Sequence, residues 1–378
     1  MRTLSADPVG EGTGAPVPSE LAALTASLVR KGTEPLRGLS AVEQFLTRSR
    51  IPFRRLFSKT DYPVLIAGSL ERRLGTVLAT HVDVVPPEER PDAAPGTVKG
   101  DRLYGRGALD MRGGLALSLL LLRGFYWSSP QPPPLTVVVT TDEEKESRGA
   151  WRLTDQGMLV PELVLVPEPT WERVALGAVG RRSWTVSFTG EGGHAEGNFQ
   201  RTASPASALA HLVARLPADF TPLSLSTLGT GEVTLPLRAE ARVDQILKTR
   251  EGEHRAEEIF TMLTELAERR YPGLQGRFGL VRRTSPWPPP YKTDPTHALV
   301  RRFLATAVRD GQAAERIVEQ AVGDFNAFGS RWPTIVFGPS GGGAHGPGEW
   351  VDLASLGRCW KVYQKFLAGI FEGRRPHR

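Results

Sequence analysis

The stretch Tyr104-Gly-Arg-Gly-Ala-Leu-Asp110-Met-Arg-Gly-Gly114 sets one carboxylate, Asp110, among glycines, and an apolar helix-like segment, Leu115 to Phe125, follows at once. Glycine lets backbone approach a neighbour closely and adopt unusual φ/ψ. A short acid held in such a turn, just before a helix, suits a cation bridged by one carboxylate. Taken alone, the stretch reads equally as a helix N-terminal acid in a glycine turn. The rest of the chain decides between the two.

Apolar runs elsewhere end in acids and histidines. Leu74 to Val82 is nearly continuous in apolar residues, the pattern of a strand buried on both faces, and it ends in His81-Val-Asp83. Leu135 to Thr141 is β-branched and ends in Asp142-Glu143-Glu144. Leu163 to Val166 ends in Pro167-Glu168-Pro169-Thr170, and Thr334 to Phe337 is followed by Gly341-Gly-Gly-Ala-His345. In open α/β sheets, ligands bind in the crevice outside the carboxyl ends of the strands. These residues are therefore expected along one edge. One imidazole with carboxylates from separate loops is the donor set of a hydrolytic zinc site. Two imidazoles with three carboxylates suffice for two metals sharing one acid, roughly 3.5–4 Å apart.

The seven histidines sort unevenly. His211 and His254 lie in helix-like segments, His297 begins one and His377 is in the tail, so each reads as a surface or cap residue. His81, His194 and His345 follow strands and sit in loops of small residues. The His-x-Asp spacing favours His81, because a nearby acid commonly orients a ligating imidazole. Glu143 and Glu144 sit beside Asp142 and Glu146, so on an exposed loop they would be solvated charge. At a buried strand end beside a cation, one can ligate while its neighbour takes a proton from water. Glu168 lies between two prolines that fix the local backbone.

A chain of 378 residues is expected to hold two domains. Its composition, 40% hydrophobic and 23% charged, is that of a globular protein. The net charge is +6 and the pI about 9.6, but the excess is spread along the chain, with a small cluster only at Arg374, Arg375 and Arg378. Without a basic stripe or reading motif, a nucleic-acid role is not expected. One cysteine, Cys359, excludes an internal disulfide and a cysteine metal cluster. Residues 1–18 read as a disordered tail rather than a signal peptide. No apolar run reaches membrane-spanning length, so no membrane association is expected and the cytoplasm is the default location.

From about Val179 the texture changes. Strand-like Arg182 to Thr189, helical Ala203 to Leu216, strand-like Leu223 to Thr227 and Glu232 to Leu247, helical His254 to Tyr271 and strand-like Gly276 to Arg282 give a β-α-β-β-α-β order. That order reads as a small separate α/β sandwich, and Ser285-Pro-Trp-Pro-Pro-Pro290 as the linker back.

Six motifs in order then resemble the co-catalytic zinc aminoacylase/carboxypeptidase family, which includes N-acetylornithine deacetylase, succinyl-diaminopimelate desuccinylase, aminoacylases and glutamate carboxypeptidases. They are Thr80-His-Val-Asp83, Gly105 to Gly114, Asp142-Glu-Glu144, Glu168-Pro-Thr170, Gly193-His194 and His345. The resemblance runs from about residue 20 to the end. It implies an α/β fold: a zinc-exopeptidase-like catalytic domain, with a mixed central sheet flanked by helices, formed by 19–178 and 291–378. An inserted ferredoxin-like α+β sandwich, 179–290, would be the lid and dimerisation domain. Asp110 would bridge two divalent ions, zinc first and cobalt or manganese as alternatives, and the Asp110–Met111 bond would be cis. His81 and Glu168 would complete one site, Glu144 and His345 the other. Asp83 would orient His81, Glu143 would be general base and acid, and His194 would stabilise the oxyanion, in many relatives from the partner subunit of a homodimer.

Two departures leave the metal centre untouched and the substrate open. Relatives often carry an Asp-x-Arg at the end of a small-domain strand, whereas this chain reads Val243-Asp244-Gln245-Ile246, so the arginine is missing or displaced to Arg242. The loop after His194 contains an unusual Gly197-Asn-Phe-Gln-Arg-Thr-Ala203. Arg181, Arg182 and Asn326 are the candidate substrate contacts. The expected function is a two-metal hydrolase cleaving the amide bond of an N-acyl amino acid. The alternatives are a dipeptidase or metallo-carboxypeptidase on the same scaffold, and a deacylase of an amino acid linked to an acidic carrier protein. More remote is a non-catalytic binding protein.

Overall fold

The structure is a computed structural model and describes residues 19–71, 73–86, 93–128, 133–194, 203–229, 234–250, 252–310 and 316–372. The expected N-terminal tail, the arginine cluster and His377 near the C-terminus, and most of the loop after His194 lie outside these residues.

A nine-stranded mixed sheet organises most of the chain. Its order runs 53–56, 64–68, 135–140, 73–81, 160–166, 334–336, 174–178, 291–292, with 316–319 also paired to 174–178. The four central strands, Leu135–Thr140, Arg73–His81, Val160–Val166 and Thr334–Val336, are mutually parallel. Leu135–Thr140 is buried along its whole length, as parallel strands covered on both faces are. Alternation along the strands feeds two cores. Leu78, Val137, Val139, Leu163 and Leu165 meet the helices Ser19–Val29, Gly113–Ser128, Ala298–Arg309 and Leu353–Glu372. Val77, Ala79, Val138, Val164 and Val166 meet Arg148–Asp155 and Asp324–Gly329. Two-residue periodicity thus sorts each strand between the layers. Gly113–Ser128 carries almost no polar face because its first ten residues are all buried.

Residues 180–280 build a separate four-stranded antiparallel sheet in the order 220–228, 238–247, 180–189, 275–280. The helices Pro205–Val213 and Gly252–Arg270 complete the β-α-β-β-α-β order read from the sequence. Trp184, Val186, Phe188, Leu209, Leu212, Phe260 and Leu263 belong to its own core.

A third, small sheet has no counterpart in the sequence reading. Gly341–Gly342, Trp350–Asp352, Arg102–Tyr104 and Thr97–Lys99 pair antiparallel, two or three residues each. Its importance is positional, for it sets the segment of His345 beside that of Asp110. Among the described residues, no helix is long and apolar enough to cross a membrane.

Candidate metal centre

The parallel strands deliver their chemistry to one edge. His81 is the last residue of Arg73–His81, Glu143 and Glu144 follow Leu135–Thr140, and Glu168 follows Val160–Val166. Asp110 arrives on a widened helical turn, Ala108–Arg112, closed by the Arg112 N–H donating to the Gly107 carbonyl at 2.8 Å. Gly107 makes that turn: its φ of 79° is left-handed, and a Cβ there would lie 2.5 Å from Val84 Cγ1. The Asp110–Met111 peptide bond is cis.

The distances converge. His81 Nε2 lies 3.1 Å from Glu168 Oε1, 3.2 Å from Asp110 Oδ1 and 3.8 Å from Glu143 Oε2. His345 Nε2 lies 3.2 Å from both Asp110 Oδ2 and Glu144 Oε2. The two oxygens of Asp110 therefore face two different imidazoles. His81 Nδ1 stands 3.0 Å from the carbonyl oxygen of Asp83 and 3.5 Å from its carboxylate. An Nδ1–H donating to that carbonyl leaves the Nε2 lone pair pointing at carboxylate oxygens, a repulsive arrangement unless a proton or cation lies between them.

Electrostatics point the same way. Burial alone would push the His81 imidazole down, but the Glu168 and Glu143 carboxylates, with hydrogen bonds to Asp110 and Asp83, carry it well above its ordinary value. Hydrogen bonds to Asp110 and Glu144 push His345 up to about 10. Burial, reinforced by Asp110, raises Glu168 to about 8. Burial and the neighbouring Glu168, Glu144 and Asp324 charges raise Glu143, against the opposing pull of His81. Asp110 goes the other way: burial would raise it, but its bonds to His345 and His81 hold it well below the carboxylate range. So many acids share the space that each protonated imidazole is strongly stabilised.

This cluster fits divalent cations. The donors are imidazole and carboxylate, the set expected for zinc. Donor atoms of His81, Asp110 and Glu144, and of His81, Glu143 and Glu168, lie within 4.8 Å of one another. Glu144 Oε1 is buried without a hydrogen-bond partner among the described residues, as is Asp83 Oδ1. Such orphaned acceptors are costly unless something positive meets them.

Other sequence candidates fall elsewhere. His194 sits, exposed, on the two-residue strand Gly193–His194 opposite Thr234, and none of the contacts described above includes it. Arg181 Nε lies 2.6 Å from Asp244 Oδ2, an ion pair without hydrogen-bond geometry, so that strand-borne acid already faces a cation. Arg182 stands opposite Gln245 in the same sheet. Asn326 is fully buried, and its amide is spent on backbone. Its oxygen accepts from Gly323 N–H, and its nitrogen donates to the carbonyls of Val179 and Pro289. Rather than a free substrate contact, Asn326 clasps the two segments that enter and leave the four-stranded unit. Glu143 and Glu144 are largely buried, and the flanking acids are tied down: Asp142 to Arg148, and Glu146 to Thr284.

Three supporting residues escaped sequence reading. Arg112 is wholly buried and donates to the carbonyls of Leu28, Gly32 and Val82, fastening the turn of Asp110 to the end of the first helix. Glu349 and Arg106 brace the same turn from the other side. Each links positions far apart in the chain, where no local pattern signals a partner.

Comparison with known proteins agrees with this architecture. Residues 77–369 match Peptidase family M20/M25/M40. A succinyl-diaminopimelate desuccinylase of Cereibacter sphaeroides is 26% identical over 389 residues, covering 94% of this chain and all of that protein. A tripeptidase structure from Staphylococcus aureus superposes with a TM-score of 0.78 at 14% identity, covering 95% of this chain and all of that one. A dinuclear metal-binding peptidase of the M20 family from Bacillus subtilis gives 0.67 at 15% identity, covering 94% of this chain and 98% of that one. A match running from inside the strand that ends at His81 to the final helix shows that this chain belongs to Peptidase family M20/M25/M40, and it is a metal-dependent hydrolase.

Proposed function

We propose that this chain hydrolyses the amide bond of an N-acyl amino acid at a two-cation centre. His81 and Glu168 would hold one ion and Glu144 and His345 the other, with Asp110 available to both. Zinc is the expected metal, with cobalt or manganese as alternatives. The sorting is supported by the pairing of short distances, since Asp110 offers one oxygen to each imidazole. Bound there, the cations supply Lewis acidity, polarising the carbonyl and acidifying water.

The observation that carries the mechanism is the standing of Glu143. Its carboxylate is at the centre, yet 3.8 Å from His81 Nε2, farther than the Glu168 and Asp110 oxygens. Burial raises its proton affinity. Glu143 takes one proton from the attacking water, whose oxygen bonds to the acyl carbon, and passes that proton to the nitrogen as the C–N bond breaks. A carboxylic acid and a free amine leave. Asp83 fixes His81 through its carbonyl oxygen. His194, carried on the lid formed by 179–290, steadies the oxygen of the tetrahedral species.

A desuccinylase relative aligned along nearly the whole chain supports the acyl amino acid. The tripeptidase neighbour keeps a peptidase as the second reading. A second copy of the chain would pair along the edge strand Phe220–Leu228, where Leu223, Leu225 and Leu228 are each at least half exposed. Amine release from N-acetylornithine, N-acetylmethionine, N-succinyl-diaminopimelate and a set of dipeptides tests the substrate class. Turnover of acyl amino acids is expected, and turnover of dipeptides alone would replace this reading with the second.

A further inference from the structure

The segment that carries His345 is slight. Its two strands, Gly341–Gly342 and Trp350–Asp352, are joined by a largely exposed tip. His345 itself has a φ of 60° and a half-exposed side chain. Left-handed backbone at a residue other than glycine persists only where its surroundings impose it.

One ion pair reaches it from the turn of Asp110. Arg106 Nη2 donates to the His345 carbonyl at 2.9 Å, and Nη1 donates to Glu349 Oε2 at 3.1 Å. The other oxygen of Glu349 accepts the N–H groups of Leu109 at 3.0 Å and Asp110 at 3.2 Å. The Glu349 carbonyl accepts Gly105 N–H at 2.8 Å, and its side chain is 1% exposed. A single guanidinium–carboxylate pair therefore spans the turn bearing Asp110 and the loop bearing His345. The planar fork meets the two acceptors from two separate nitrogens, whereas a lysine ammonium offers one nitrogen as a point charge.

We propose that Arg106 and Glu349 are positioning residues that set His345 against Asp110. They thereby govern the cation position shared by Asp110, Glu144 and His345. The position of His81 and Glu168 shares Asp110 but takes its other two donors from buried strand ends, so it depends on the pair far less. The cation half of this inference rests on the two-cation reading; the mechanical half does not.

The test has two arms, each comparing Arg106→Lys and Glu349→Gln with the unsubstituted chain. In hydrogen exchange on the cation-stripped protein, residues 341–349 should exchange faster while 73–84 and 160–168 keep their rates. Unchanged exchange at 341–349, or faster exchange throughout, overturns the proposal. In calorimetric titration with zinc, one of two binding steps should weaken tenfold or more and the other stay within about twofold. Equal weakening of both steps, or of neither, overturns it. If the unsubstituted chain binds no zinc, the two-cation reading falls, and the exchange arm still decides the clamp.

Discussion

Asp110 Oδ2 stands 3.2 Å from His345 Nε2, while Asp110 Oδ1 stands 3.2 Å from His81 Nε2. One short side chain therefore joins two otherwise separate donor groups, one wholly on buried strand ends and the other completed by His345 from a surface hairpin. Their unequal support makes the two halves separable by experiment. His345→Ala is expected to lose one equivalent of metal and retain the other, with turnover down at least a hundredfold. Elemental analysis of the purified variant checks this, and two retained equivalents would contradict it.

The spacing around the general base is tight. A Cβ on Gly323 would lie 2.2 Å from Glu143 Oε1. The φ of Gly323 is −169°, extended backbone open to any residue, so the methyl group and not the conformation is the problem. Gly323→Ala should displace the Glu143 carboxylate by a fraction of an ångström to an ångström. The expected loss is on the order of tenfold to a hundredfold in kcat, with metal content unchanged. Steady-state kinetics beside elemental analysis decides it; wild-type kcat would show that Glu143 needs no such fit.

Asp324 gives a pH signature. It is buried behind Glu143, where its carboxylate accepts from Thr140, and burial raises it from an ordinary 3.8 to about 6. A carboxyl raised in the folded state binds protons more tightly there than when unfolded. Its contribution is fully favourable below pH 4 and is lost as pH climbs through 6. Asp324→Asn keeps an acceptor for Thr140 and removes the buried charge. The cation-stripped variant should be more stable than the parent at pH 7, by up to on the order of 3 kcal/mol, and no more stable at pH 4. Urea unfolding at the two pH values checks the difference, and an equal effect at both would refute the cause.

Asn326 is expected to matter for stability through the segments it joins. Asn326→Ala leaves the Gly323 N–H and the Val179 and Pro289 carbonyls without their side-chain partner. Buried groups left unpaired cost about 1–3 kcal/mol each, before any relaxation. A loss of several kcal/mol by denaturant unfolding is predicted, and a loss under about 0.5 kcal/mol would mean that these groups find other partners.

The centre was legible in the sequence where local pattern carries it. Strands buried on both faces announce themselves as apolar runs, and the residue that ends such a run is placed at the sheet edge by topology alone. His81, Glu143, Glu144 and Glu168 were readable for that reason. Asp110 was marked by the glycines its turn requires. Glu349 and Arg106 were not legible, because their contact joins positions 243 residues apart. The strands that bring them together are only two or three residues long, too short for any period to show. Asn326 reads from the sequence as a candidate substrate contact, whereas its burial against the segments of Val179 and Pro289 depends on tertiary placement. The β-α-β-β-α-β unit was readable as an order of elements.

Metal content and turnover, measured on the same preparations of the unsubstituted chain and of Glu143→Gln, decide whether two cations and the Glu143 carboxylate carry the hydrolysis. About two equivalents of divalent metal are expected in both proteins, with amine release from N-acyl amino acids only in the first. Undiminished hydrolysis by Glu143→Gln would remove Glu143 from proton transfer. Absence of metal in a protein that still turns over would overturn the two-cation centre itself.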